Sequence, residues 1–399
     1  MLYTAPHQFE PLLPQLALGD LVDETRQVFE LSHRLRGALH PATVAALREL
    51  VRNMNSYYSN LIEGQSTHPR NIDRALRADF SERPDVARRQ RLAIAHIESE
   101  RDLEMMTAQP GWRDVNALRS DFIIAAHRAL YGRLPEDDRR SPEGTVIAPG
   151  VVRTDDVSVG RHDAHAHGSL SAFLRRMDEV YSGLRGVDAL LYGIAAAHHR
   201  FAWVHPFVDG NRRAGRLQTH CALFPLSGGL WSVNRGLARH RDGYFARLAN
   251  ADQPRQGDLD GRGNLSERAL REWCEYFVSL CKDQVTFMSR MLDLDGLRER
   301  LATLVAVREQ ASSYPHYRPE VVEPLYHVLV LGPLARGDFV RMTGIAERTA
   351  QRTLTQLVKD GLLVSDGPKL PVRIGFPLDA LGMLFPDLYP EAATSNFDE

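Results

Sequence analysis

The run His205-Pro206-Phe207-Val208-Asp209-Gly210-Asn211-Arg212-Arg213-Ala214-Gly215-Arg216 places a titratable base, a carboxylate, a tight turn and three guanidinium groups within one short stretch. His205 is the only side chain of the set that changes charge near neutrality, which makes it the candidate base for an incoming hydroxyl. Asp209 is a hard oxygen ligand of the kind that holds Mg²⁺ against a polyphosphate. Arg213 and Arg216, three residues apart, share a helix face, and a planar fork suits phosphate oxygens better than an ammonium does. The surrounding elements position them. Val187 to Val204 is a continuous apolar, Ala-rich stretch, long enough for a buried helix, and Pro206 breaks it. Asp209-Gly210-Asn211 supplies turn and cap residues, and Arg213 to Phe224 reads as a second helix. Backbone amides from Gly210 to Arg213, with the Asn211 side chain, are expected to form an anion hole at that helix's N-terminus. A buried helix pair with a solvated basic first turn is the bland alternative, and this ordered set of residue types speaks against it.

Composition narrows the class. With 399 residues the chain has length for two or three domains and a sizeable core. Hydrophobic residues make up 43% and charged ones 25%, as in soluble globular proteins, and the formal net charge of -2 offers no global basic field for nucleic acid. Cys221, Cys274 and Cys281 lack metal-ligand spacing and read as reduced core thiols. No apolar run reaches membrane-spanning length and the start lacks a secretion signal, so the expected compartment is the cytoplasm.

The run from His205 to Arg216 closely resembles the signature of the Fic family, His-Pro-Phe-x-Asp/Glu-Gly-Asn-Gly/Lys-Arg-x-x-Arg. Members mostly transfer AMP from ATP to a protein hydroxyl. The resemblance therefore implies a mainly α fold, a Fic-type helical bundle with a β-hairpin flap, and ATP and Mg²⁺ at the site. Ser59-Asn60-Leu61-Ile62-Glu63-Gly64 matches a second element of the family, the inhibitory motif Ser/Thr-x-x-x-Glu-Gly/Asn, with Ser59 and Glu63 on one helix face. By analogy Glu63 pairs with Arg216, takes the place of the nucleotide's outermost phosphate and holds the enzyme inhibited. Gln65, where relatives often have Asn, is a minor departure. Arg212 is the larger one. The family has Gly there, or Lys in a branch that transfers phosphoryl groups, and an arginine removes glycine's conformational freedom while adding a cation.

Further along the chain, Met1 to Pro14 is too proline-punctuated for a helix and is expected to lie extended on the surface. Arg70 to Met106 reads as a solvated helical face, Pro110-Gly111 as a break, and Val115 to Leu130 as an amphipathic helix carrying a packed His127. Pro135 to Gly168 turns to prolines, glycines and short alternating runs. A hairpin of Val151–Arg153 and Val157–Gly160 about Thr154-Asp155-Asp156 is similar to the Fic flap, which aligns the target by strand addition. His162, His165 and His167 form no convincing metal set. Arg239 to Leu248 is similar to the family's Tyr-Tyr helix, which makes Tyr244 a candidate contact for the nucleotide base.

This reading divides the chain into an N-terminal helical region with the inhibitory helix (1–110), a Fic catalytic domain (111–290), a connector helix (291–315) and a winged helix-turn-helix domain (316–385). In the last, Ala346 to Asp360 exposes Glu347, Arg348, Gln351, Arg352 and Thr355, residue types that reach base edges or phosphates, so DNA through 346–360 or a protein partner is expected there. The expected activity is an autoinhibited protein adenylyltransferase acting on a Tyr, Ser or Thr hydroxyl of a target protein. Phosphoryl transfer, removal of AMP, or a nucleotide-sensing DNA-binding regulator are the alternatives. Pairing into homodimers fits either class.

Overall fold

The protein is described from a computed structural model that covers residues 3–108, 117–141, 144–159, 162–163, 166–184 and 186–390. It is built mainly of helices. α1 (Gly19–Gly37), α2 (Pro41–Ile62), α3 (Pro69–Leu76) and α4 (Pro84–Ala108) precede α5 (Ser120–Gly132) and α6 (Leu170–Tyr181). The central pair is α7 (Val187–Val204) and α8 (Asn211–Ser227), followed by α9 (Asn234–Arg239), α10 (Arg241–Ala251) and α11 (Glu267–Met291). α7 lies inside the bundle with α1, α8 and α11 packed along it. Its alanines let neighbours approach closely, and Trp273 of α11 donates its indole N–H to Ala195 O at 2.6 Å. α8 begins at Asn211, two residues earlier than the spacing suggested, because Gly210 at φ 81° turns the chain directly into it. The solvated helical face expected over Arg70 to Met106 is two helices, since residues 77–83 leave helical geometry between α3 and α4.

Two expectations are corrected. The N-terminal segment is not extended. Pro6–Phe9 is a 3₁₀ turn, with Pro6 at the helix start where its missing N–H costs nothing. Phe9 is fully buried against Phe173 and Trp203, at ring separations of 5.0 and 5.7 Å. The hairpin is also displaced along the chain. β1 (Ser158–Val159) pairs antiparallel with β2 (His162–Asp163), in register Ser158↔Asp163. Residues 151–153 are not a strand, because Arg153 is drawn to the His205 loop: its N–H donates to Pro206 O at 2.9 Å and its Nε to His205 O at 2.9 Å. The Pro110-Gly111 break, Val115, Gly160 and His165 lie outside the described residues. His167 pairs with Asp156 at 3.0 Å.

Beyond α12 (Leu294–Gln310) come α13 (Val322–Leu331), α14 (Arg336–Met342) and α15 (Glu347–Lys359). β3 (Leu363–Val364) and β4 (Arg373–Ile374) then pair antiparallel, and a helix not anticipated from sequence, α16 (Leu378–Leu384), closes the chain onto α12. These elements also touch the N-terminal helices: β4 contacts α2 and α16 contacts α3. The burial of Phe9 gives a direct check of the first correction. Phe9→Ala is expected to cost about 3–5 kcal/mol, as for a core aromatic, whereas an extended surface segment would lose little in urea unfolding.

Candidate active site

The loop between α7 and α8 is held open by its own residues. His205 ends α7 in the left-handed region at φ 50°, and its N–H donates to Phe201 O at 3.1 Å. Asn211 turns its side chain toward the loop backbone. Its Oδ1 accepts from Phe207 N at 2.9 Å and its Nδ2 donates one hydrogen to Phe207 O at 2.8 Å, so the amide helps to shape the loop. Asp209 Oδ1 accepts from Gly210 N at 2.6 Å, which takes that amide out of the expected donor set. The first-turn amides of α8 from Asn211 to Arg213 have no intrahelical acceptors and point out of its positive end. Gly210 is required here: a Cβ would meet the Tyr131 ring at 2.3 Å. His127 braces the loop, with Nδ1 accepting from Gly150 N at 2.9 Å and Nε2 facing Asp209 O at 3.1 Å. Burial lowers its pKa to about 4, so it stays neutral and structural.

The C-terminal end of α2 covers the arginines. Gly64 at φ 71° completes a Schellman cap, in which Gln65 N donates to Asn60 O and Gly64 N to Leu61 O. That turn presents Glu63 and Gln65 on the same side. Glu63 Oε1 lies 2.8 Å from Arg216 Nη2, and Glu63 Oε2 lies 3.4 Å from Arg212 Nη1. Arg216 also donates to Ser59 Oγ and Ser59 O, both at 2.9 Å. Arg213 donates to Asn60 Oδ1 at 3.2 Å and Gln65 Oε1 at 2.6 Å. Gln65 and Asn60 are thus site residues that sequence reasoning passed over; their nearness to Glu63 in sequence was the available signal. Burial opposes ionisation of Glu63, but Arg216, then Arg213 and Arg212, outweigh it and hold the carboxyl below its usual range.

Tyr244 is corrected as well. It is fully buried, its hydroxyl 2.9 Å from His198 Nε2 and its ring packed near Trp273, so it presents no face to a nucleotide base. The stripe Tyr244, Leu248, Ala251 has core spacing, which the sequence did carry. The half-buried aromatic beside the loop is Phe245, with the guanidinium carbons of Arg212 and Arg241 at 5.0 and 5.2 Å from its ring centre. This stacking gives Arg212 a fixed place next to Glu63.

Behind Arg216 lies a buried polar network. Arg52 donates to Glu104 Oε2, Glu104 Oε1 lies 2.7 Å from His220 Nε2, and Asn55 Nδ2 donates to Glu100 Oε1 at 2.8 Å. Among the described residues, Glu100, Glu104 and His220 are the group with metal-ligand spacing, but Glu104 is already paired with both Arg52 and His220. Burial pushes Glu100 up to about 7, and although burial opposes it, Glu100 and Glu104 raise His220.

Residues 117–223, which contain this loop and both central helices, match the family model Fic/DOC family. They are a Fic/DOC domain. The chain is 30% identical, over 84 residues, to a Fido domain-containing protein of Dictyostelium discoideum. That match takes in 21% of this chain and spans 59% of the relative, less than two thirds of its length. A Fic family protein from Desulfovibrio desulfuricans G20 has a similar fold, with TM-score 0.50 and 16% identity over 93% of this chain and 98% of that one. A Fic domain containing signaling protein from Bacteroides thetaiotaomicron VPI-5482 gives TM-score 0.50 and 16% identity over 66% and 95%. In the structure, α2 closes the Fic/DOC domain's loop from outside the matched segment.

The network behind the Fic/DOC loop makes stability depend on pH. Both Glu100 and His220 bind protons more tightly folded than unfolded, so their contribution is present below the unfolded values and is lost as pH rises through the folded ones. Urea midpoints are expected to fall from pH 6 to pH 8, and Glu100→Gln is expected to flatten that slope. An unchanged slope in Glu100→Gln would assign the pH dependence elsewhere.

Proposed function

We propose that the chain is a protein adenylyltransferase, moving AMP from ATP to a Tyr, Ser or Thr hydroxyl of a target protein, and that Glu63 inhibits it. The observation that carries this reading is the ion pair between Glu63 and the fully buried Arg216, beside a Fic/DOC loop that contains His205 and Asp209. A carboxylate there occupies the position in which a phosphate would be bound.

In this reading His205 takes the proton of the target hydroxyl, the hydroxyl oxygen bonds to the α-phosphorus, and the bond to the bridging oxygen breaks to release pyrophosphate. The first-turn amides of α8 and Arg213 stabilise the charge that develops on the phosphoryl oxygens. Asp209 keeps Oδ2 for a metal while Oδ1 holds Gly210 N, and one carboxylate with substrate phosphates is the usual setting for Mg²⁺. When bound there, Mg²⁺ supplies neutralising charge to the polyphosphate. The short pair β1–β2, next to the Arg153 segment that is tied to the His205 backbone, is a natural edge for a target strand.

Arg212, the departure from the family pattern, acts in this reading as a second partner for Glu63 and strengthens the latch. The C-terminal elements are read as a winged helix, with α13 to α15 as its helices and β3–β4 as its wing. Glu347, Arg348, Gln351, Arg352 and Thr355 are exposed on one face of α15, which suits a nucleic-acid or protein partner.

The test is self-modification with Mg²⁺ and ATP labelled at the α- or the γ-phosphate. Label from the α-position is expected to be weak in the wild type, at least tenfold stronger in Glu63→Gly, and absent in His205→Ala, in line with the usual weight of a general base. Arg212→Gly is expected to fall between wild type and Glu63→Gly, since it removes one of two partners. Incorporation from the γ-position alone would replace AMP transfer by phosphoryl transfer. A DNA footprint with no label in any variant would favour the regulator.

A further inference from the structure

α2 is gripped by the C-terminal elements at both ends. At its N-terminus, Thr43 Oγ1 donates to Leu329 O at 2.6 Å, and the ring of the N-cap His40 lies so close to Gly332 that a Cβ there would stand 2.4 Å away. Near its C-terminus, the Tyr58 hydroxyl donates to Leu388 O at 2.9 Å, and Tyr57 meets Tyr389 edge-on at 5.5 Å between ring centres. Tyr58 is fully buried and immediately precedes Ser59, which holds Arg216. Between these two grips β4 touches α2, and an open pocket lies beside that contact. A cavity of about 310 Å³ separates Leu50, Asn53 and Ile72 from Ile374, Phe376 and Tyr389. The hydrogen bonds across the interface thus lie at a pivot around His40 and a clasp around Tyr58.

The clasp is itself held in place. Asp387, at φ 64°, shapes the turn that offers Leu388 O, and Arg235 Nη2 donates to Asp387 O at 2.9 Å. Arg308 pairs with Asp379 at 2.7 Å and Arg300 donates to Leu384 O, which tie α16 and the turn after it to α12. On the opposite face of α2, Ser56 Oγ donates to Ala93 O of α4 at 2.9 Å. The inhibitory helix is thus fixed from two sides, and one of them belongs to the elements read as the winged helix.

We propose that the turn 385–389 is the second half of the inhibitory device: by clasping Tyr58 it holds Glu63 on Arg216 and Arg212, so displacement of the C-terminal elements releases the latch. The inference rests on the reading of Glu63 as inhibitory. The physical basis is a rigid helix pivoted at one end, whose far end carries both the clasp and, five residues on, the latch. Loosening the clasp costs the latch its alignment without altering any group that touches nucleotide. Tyr58 and Tyr389 are positioning residues.

The experiment uses the full chain with Tyr58→Phe, Tyr389→Ala and Tyr389→Phe, each alone and combined with Glu63→Gly. Two readouts are taken: amide hydrogen exchange of residues 59–65, which needs no activity, and self-labelling from α-labelled ATP. Tyr58→Phe, which removes the hydroxyl that donates to Leu388 O and keeps the ring, is expected to speed exchange of 59–65 about fivefold. Tyr389→Ala is expected to do more, and Tyr389→Phe to restore slow exchange. Labelling is expected to rise in step with exchange and to gain nothing further in the Glu63→Gly background. Unchanged exchange at 59–65 in both Tyr58→Phe and Tyr389→Ala, with unfolding midpoints showing a folded chain, overturns the proposal. So does an increase in labelling that adds to that of Glu63→Gly. Faster exchange with no labelling in any variant, Glu63→Gly included, leaves the clasp standing and removes the adenylyltransferase reading instead.

Discussion

A guanidinium group without exposed surface must be paired, because an uncompensated buried charge costs several kcal/mol. Arg216 is such a group, and the surrounding structure supplies its counter-charge from α2 rather than from its own helix. That single requirement draws the N-terminal helices onto the Fic/DOC loop. Ser59 and Glu63 come from one face of α2, the Schellman turn at Gly64 brings Gln65 back to Arg213, and Arg241 caps the same helix end by donating to Ile62 O at 2.8 Å. A helix C-terminus is itself partly negative, so four arginines around it are mutually tolerable.

Much of this was legible in the residues. The helix, loop and helix around His205 followed from the apolar run, Pro206 and Gly210, and the facing of Ser59 and Glu63 followed from helical spacing. What was not legible depended on which of several polar partners a side chain selects. Asn211 has the chemistry of an anion ligand, yet it turns inward because Phe207 offers both an N–H and a carbonyl four residues back. Tyr244 and Phe245 are adjacent aromatics, and only the phase of α10 decides which one is core. The hairpin shifted because Arg153 found carbonyls across the chain, a long-range preference that local alternation does not encode.

α16, a short helix with modest periodicity, gave no strong local signal, yet it and the turn after it bring the chain's last described residues back to its first helices. Sequence order and spatial order therefore part company here. The helix that covers the site lies outside the segment that matches the family model, and residues more than three hundred positions away lie against it.

The backbone of His205 carries one more consequence. Left-handed dihedrals are costly for any residue with a Cβ, by roughly 1 kcal/mol, and glycine is the usual occupant of that position at a helix end. A histidine there means that the fold tolerates a small loss of stability at the end of α7. Glycine at position 205 would relieve that strain and alanine would not, so the two variants part on thermal unfolding, with His205→Gly the more robust. If His205 is the base proposed above, the loop belongs to those sites where what a protein does and how firmly it folds pull in opposite directions.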